Sequence, residues 1–235
     1  AFEVFKKQTI ASLENRSVDP NAALSDAVDK ALYGDSVRYN DLTIDTIESL
    51  DLNRGMEIYQ ERFEDMGDAV FVFVGNVDQE EIAALAQRYL GNLPTTVREE
   101  GWQDVMPSPP QGIVESDVFK GEGDRSIAQI FFVNPYGATL QDDLTADAVE
   151  HVLDILVREE LRENLGGAYS AGAGGFGRTL PEAVYTGYVV FGTEPDRVEE
   201  LADAAFAQIE MLQTEGPSAE NLNKAKSIAI SQHEE

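Results

Sequence analysis

Arg158-Glu159-Glu160-Leu161-Arg162-Glu163-Asn164-Leu165-Gly166-Gly167-Ala168-Tyr169-Ser170 is the stretch on which the reading of this chain turns. It leaves a charged helix, breaks at a Gly-Gly pair and runs into a strand. That layout puts Arg162 on the last helical turn and Tyr169 at the start of the strand, where both can point to one edge of a sheet. An arginine offers a fork of donors to a carbonyl or carboxylate, and a tyrosine hydroxyl can donate to an oxyanion formed during peptide-bond attack. The residues alone leave two readings open. In one, the pair stabilises a transition state; in the other, Arg162 caps helix-end carbonyls or pairs with Glu159 or Glu163, and Tyr169 packs at a strand end.

Working outward, Leu144, Ala148, Val152, Leu156 and Leu161 predict a long helix over about 141–164 with one apolar face. Downstream, 168–177 and 184–191 read as strands joined around Arg178 to Glu182. Thr193 is expected to begin the next helix, with Pro195 in its first turn. Val198, Leu201, Ala205, Phe206, Ile209 and Leu212 make that helix amphipathic. Gly216-Pro217 ends it, and Ser218 caps the last helix. Upstream, 113–119 and 127–133 read as two strands about the Gly-containing loop 120–124. Residues 94–110, rich in proline and charge, read as an extended connection. The opening third is mostly helical: a first helix, a second over 21–32 closed by Gly34, a third capped by Thr43, and a fourth from about Arg54 to Glu64. Residues 69–74 then read as a buried strand, and Asp78 with Glu81 as the capping-box start of a helix through Tyr89.

The predicted architecture is α+β, a layer sandwich with a largely antiparallel sheet packed by helices. It is expected to form one domain over 1–235, with a first half of about 1–94, a connection of about 95–112 and a second half of about 113–235. Both termini fall inside helical patterns, so the domain is expected to be cut from a longer parent.

Composition narrows the function. The 235 residues are 43% hydrophobic, enough for a core, and contain no cysteine, which excludes a disulfide framework and a thiolate metal site. A formal net charge of −27 opposes phosphate backbones and anionic lipid, so neither nucleic acid nor membrane is expected as a partner. No apolar run approaches the ~20 residues that span a bilayer, and the first residues lack a signal-peptide layout. The acidity fits a solvated surface or a halophilic source.

Chemistry of its own is hard to find. The only histidines are His151 and His233, and neither belongs to a zinc-binding spacing, so no metal ligand and no bound cofactor is expected in this chain. A nucleophile elbow is absent, and a catalytic triad would need one of those two histidines. The glycines at 121–123 and 172–175 lack the Lys-Ser/Thr of a phosphate loop and read as flexible hairpin glycine.

The segment from Leu161 to Ser170 resembles the arginine-to-tyrosine segment in the C-terminal half of pitrilysin/insulinase-type zinc metallopeptidases, particularly the bacterial PqqL-like group. The resemblance extends over nearly the whole chain. Tyr59 with Arg62-Phe63, then Phe71 through Asp78 and Tyr89-Leu90-Gly91-Asn92-Leu93-Pro94, is similar to the family's strand–helix signature. Phe191 through Val198 and Glu215-Gly216-Pro217-Ser218 also match it. The resemblance implies the LuxS/MPP-like metallohydrolase fold and a clamshell of two homologous halves enclosing a peptide substrate. It implies that Arg162 binds the substrate backbone and Tyr169 stabilises the tetrahedral intermediate. It also implies a periplasmic or otherwise extracytoplasmic location. This chain departs from the zinc-bearing half in having no His-x-x-Glu-His. Zinc is therefore expected in the parent enzyme on another domain, either the N-terminal half of the same chain or a partner subunit, and the fragment alone is expected to be inactive. The alternatives are a non-catalytic scaffold or peptide-holding subunit of the same family, and a stand-alone α+β binding module.

Overall fold

Strand residues with β-branched and aromatic side chains, Ile127 to Val133 and Val184 to Phe191, build two neighbouring strands of the molecule's sheet. The computed structural model describes residues 1–36, 38–39, 42–95 and 101–234, with side chains to residue 231. The chain divides into two compact units, Ala1–Gly121 and Glu122–Glu235.

The first unit is helical: α1 (Phe2–Arg16), α2 (Pro20–Tyr33), α3 (Ile44–Ser49), α4 (Leu52–Phe63) and α5 (Gln79–Tyr89). Short polar side chains start four of them. Asp19, Thr43, Asp51 and Asp78 each accept from a backbone N–H of the first helical turn, satisfying donors that have no partner within the helix. Gly34 closes α2 at φ 62°, a conformation that favours glycine. Lys6 ties α1 to the end of α3 by donating to the Glu48 and Leu50 carbonyls at 2.6 and 3.2 Å, beside the buried Ile47.

The strands expected at 69–74 and 113–119 are not formed. Both segments run outside any ladder among the described residues, so the hairpin about 120–124 is absent too. Val74 is 91% and Phe119 93% exposed. Their composition favours extended backbone, but a strand exists only where a second chain segment takes its N–H and C=O groups, and composition does not supply one. Of the expected connection, 101–110 is irregular and 96–100 lies outside the described residues.

The second unit mixes helices with a three-stranded antiparallel sheet of order β1-β3-β2, where β1 is Ser126–Pro135, β2 Ser170–Arg178 and β3 Val184–Thr193. β3 is central. Ser126 pairs with Thr193 and Pro135 with Val184 on one side; Ser170 pairs with Gly192 and Arg178 with Val184 on the other. The expected long helix is α6 (Leu140–Arg158) continued by a π-helical turn, Glu159–Asn164. Helices α7 (Val198–Glu215) and α8 (Ala219–Glu234) follow.

The core joins α6, the π turn, the sheet and α7: Val157, Leu161, Ala168, Val189, Phe191, Leu201 and Ala205 form one buried cluster. Thr193 does not start the next helix: it ends β3 fully buried, and a 3-10 turn at Pro195–Arg197 leads into α7. Its hydroxyl donates to the Gly167 carbonyl at 2.8 Å and so is not available as a cap. Ser218 caps α8, accepting from the Asn221 N–H at 3.1 Å.

Candidate functional site

Arg162 and Tyr169 each directly follow a core residue. Leu161 is 0% and Ala168 8% exposed, and the Ala168 N–H donates to the Leu161 carbonyl at 3.0 Å. The chain thus leaves the core, turns, and returns to the same point. The residues next in sequence to the two anchors, Arg162 and Tyr169, are both exposed.

The turn is local chemistry. The Leu165 N–H reaches back five residues to the Glu160 carbonyl at 3.0 Å, the widened spacing of a π turn, and Asn164 donates to Glu160 at 2.7 Å. Gly166 takes φ 58°, which favours glycine. The Gly167 N–H also donates to the Leu161 carbonyl, at 3.1 Å. Among the described residues no hydrogen bond or ion pair engages the Arg162 guanidinium, so neither helix-end capping nor pairing with Glu159 or Glu163 occurs. Its fork of donors faces solvent.

Tyr169 is 59% exposed, its N–H donates to the Gly192 carbonyl at 2.8 Å, and its hydroxyl donates to Glu194 Oε1 at 3.2 Å. Partial desolvation raises the phenol above its ordinary pKa, and the Glu194 carboxylate raises it further; Arg125 pulls the other way. The hydroxyl is therefore a protonated donor at neutral pH. Glu194 and Arg197 were not singled out by the sequence, where they read as helix-start residues. The bond between Tyr169 and Glu194 spans 25 residues and that from Arg197 to the Leu165 carbonyl 32, and no periodicity signals either.

His151 sits half-buried on α6, and the His233 side chain lies outside the described residues. No group of three or more His, Asp or Glu among the described residues is arranged to hold a metal. No described helix is long and apolar enough to cross a membrane.

A cavity of about 280 Å³ lies at the other end of β2, lined by Tyr136, Asp143, Asp147, Glu150, Phe176 and Tyr185 among others. Its first lining residue on β2, Gly175, lies five positions along the strand from Ser170, roughly 16 Å at ~3.3 Å per residue. Its hydroxyls are committed, Tyr136 donating to Asp143 and Tyr185 to Glu150. Of the glycines expected to be flexible hairpin, Gly172, Gly174 and Gly175 lie within β2 instead. A Cβ on Gly174 would stand 2.6 Å from the Tyr188 hydroxyl, and one on Gly177 2.8 Å from the Tyr136 ring. They are glycine because tyrosine rings lie against the strand.

The family described as Peptidase M16 inactive domain matches residues 51–229. A zinc protease PQQL-like from Arabidopsis thaliana is 27% identical over 237 residues, covering 95% of this chain and 25% of that protein. The chain therefore spans about a quarter of the length of that curated relative. The fold matches the periplasmic protease PqqL from Escherichia coli with a TM-score of 0.85 at 18% identity, over 98% of this chain and 25% of that one. It matches the first half of the same protease at 0.62 and 17% identity, over 97% of this chain and 50% of that one. A peptidase M16 inactive domain from Pseudomonas fluorescens matches at 0.72 and 16% identity, over 100% of this chain and 56% of that one. With three quarters of its length under the family's own pattern, this chain belongs to the peptidase M16 family, the pitrilysin/insulinase-type zinc peptidases, as an inactive domain.

Proposed function

We propose that this domain is the substrate-binding, non-zinc part of a zinc-dependent endopeptidase, in which Arg162 binds the peptide backbone and Tyr169 donates to the oxyanion of the tetrahedral intermediate. The observation that supports this is the closure of the chain on itself at Leu161 and Ala168, which carries an exposed Arg162 and an exposed Tyr169 directly after its two core residues, with no partner for the Arg162 guanidinium among the described residues. Donors carried on a backbone anchored in the core suit charge that develops late in a reaction, because they cost little reorganisation when it appears. A structural arginine would have found one of the neighbouring carboxylates.

Among the described residues no group of His, Asp or Glu is arranged to hold a zinc ion, and the sequence has no cysteine and only two histidines, 82 positions apart. Zinc supplies water activation and Lewis acidity where such enzymes bind it, and here it would sit on the N-terminal half of the same polypeptide or on a partner subunit. The peptide is the other partner. A match to the first half of PqqL as well as to the full-length protease supports an arrangement of repeated domains around a substrate. The periplasmic description of that relative supports an extracytoplasmic site of action.

The test is cleavage of a quenched fluorescent peptide library by the full-length protein that carries this domain, with the 235-residue chain as control. Chelator-sensitive cleavage by the former alone is expected. In the full-length protein, Tyr169→Phe and Arg162→Ala should each lower kcat ~10- to 1000-fold with zinc content unchanged. An unaltered kcat in both variants sinks the assignment, and an inert full-length protein favours the scaffold.

A further inference from the structure

The segment from Gly192 to Arg197 grips the Arg–Tyr turn at several points. The Gly192 carbonyl accepts from the Tyr169 N–H at 2.8 Å, and the Thr193 hydroxyl donates to the Gly167 carbonyl at 2.8 Å inside the core. The Arg197 guanidinium reaches the Leu165 carbonyl at 3.5 Å and fills the space where a Cβ on Gly167 would lie. Glu200 holds that guanidinium through two hydrogen bonds of 2.9 and 2.8 Å. These contacts fix the backbone on both sides of Tyr169, but none of them fixes its ring.

An exposed tyrosine on a fixed backbone still samples its staggered rotamers, and a donor that must meet an oxyanion loses rate for each wrong orientation it visits. The one polar contact of the ring is the hydrogen bond from its hydroxyl to Glu194 at 3.2 Å. Glu194 is itself carried by the clamped segment, one residue after the buried Thr193. We propose that Glu194 is a positioning residue for Tyr169: its carboxylate accepts a hydrogen bond from the phenol and holds the ring in one orientation at the end of the sheet until a substrate oxygen takes over as acceptor. No covalent bond changes; the phenol keeps its proton and exchanges one acceptor for another. The carboxylate also opposes ionisation of the phenol, adding to the effect of desolvation, so the group stays a donor. This inference rests on the assignment of Tyr169 above.

Two variants separate positioning from charge. Gln in place of Glu194 keeps an oxygen acceptor and loses the charge; Ala loses both. In the full-length protein, Glu194→Ala should lower kcat on the order of tenfold with KM nearly unchanged, and Glu194→Gln should restore most of it. In the 235-residue chain labelled with [13Cζ]tyrosine, NMR should show Tyr169 titrating above the ordinary tyrosine value, falling back toward it in both variants. Nuclear Overhauser contacts should report a single ring orientation in the parent and in Glu194→Gln, and averaged orientations in Glu194→Ala. The proposal is overturned if the Tyr169 titration and ring contacts are the same in all three proteins, or if Gln and Ala depress kcat equally. If Tyr169→Phe leaves kcat unchanged, the catalytic assignment fails by itself, while the NMR comparison still decides whether Glu194 holds the ring.

Discussion

Tyr136 and Tyr185 each donate a hydroxyl proton to a carboxylate of α6, Asp143 and Glu150 respectively. The Asp143 hydrogen bond, with some desolvation, pushes Tyr136 from 10.0 up to about 12, and burial followed by Glu150 raises Tyr185 further still. A phenol whose folded pKa lies above its unfolded one stabilises the fold fully below the unfolded value, and that contribution disappears as pH climbs through the folded value. Stability measured by urea unfolding should therefore fall between pH 10 and about 12. Tyr136→Phe should flatten part of that fall, and identical pH slopes for the two proteins would show that the pair does not couple to folding. None of this was legible in the sequence, because the tyrosines and carboxylates meet across elements. The turn that carries Arg162 and Tyr169 was legible, since Gly166-Gly167 marks the break between helix and strand within a short stretch of chain.

Helix α6 carries the turn that presents Arg162, and its other end is closed by a reciprocal capping box. Thr139 accepts from the Asp142 N–H at 3.2 Å while the Asp142 carboxylate accepts from the Thr139 N–H at 3.1 Å. The Thr139 hydroxyl and amide hold that carboxyl below the usual range. Thr139→Ala should destabilise the protein by about 1 kcal/mol in chemical denaturation, with Thr139→Ser recovering most of it; equal stabilities for Ala and Thr would mean the box contributes nothing. Apolar periodicity located α6 and the π turn that continues it, taken together, to within a residue or two, because helix formation depends on neighbours three and four positions away. The switch to π spacing at Glu159 left no such trace. It depends on Leu161 and Ala168 sharing one core, which is a tertiary contact.

For the whole molecule, a net charge of −27 means sustained self-repulsion in the folded state. Raising NaCl from about 10 mM to about 1 M shortens the screening length from ~30 to ~3 Å, so the thermal midpoint should rise, on the order of 5 °C. A midpoint that stays constant or falls would show that the acidic groups are already compensated locally. By itself, the sequence determined the charge, the absence of a metal-binding or nucleophilic motif, the helices with their caps, the cores of β1, β2 and β3, and the Arg–Tyr segment. Each of these depends on composition or on contacts within a few residues. Tertiary structure alone decided that 69–74 and 113–119 stay outside the ladder, that β3 is the central strand, and that β2 is glycine-rich to admit tyrosine rings. It also decided that Glu194 and Arg197 stand against the turn. Strand pairing and side-chain contact join residues far apart in the chain, and their energies depend on which surfaces meet in space rather than on local spacing.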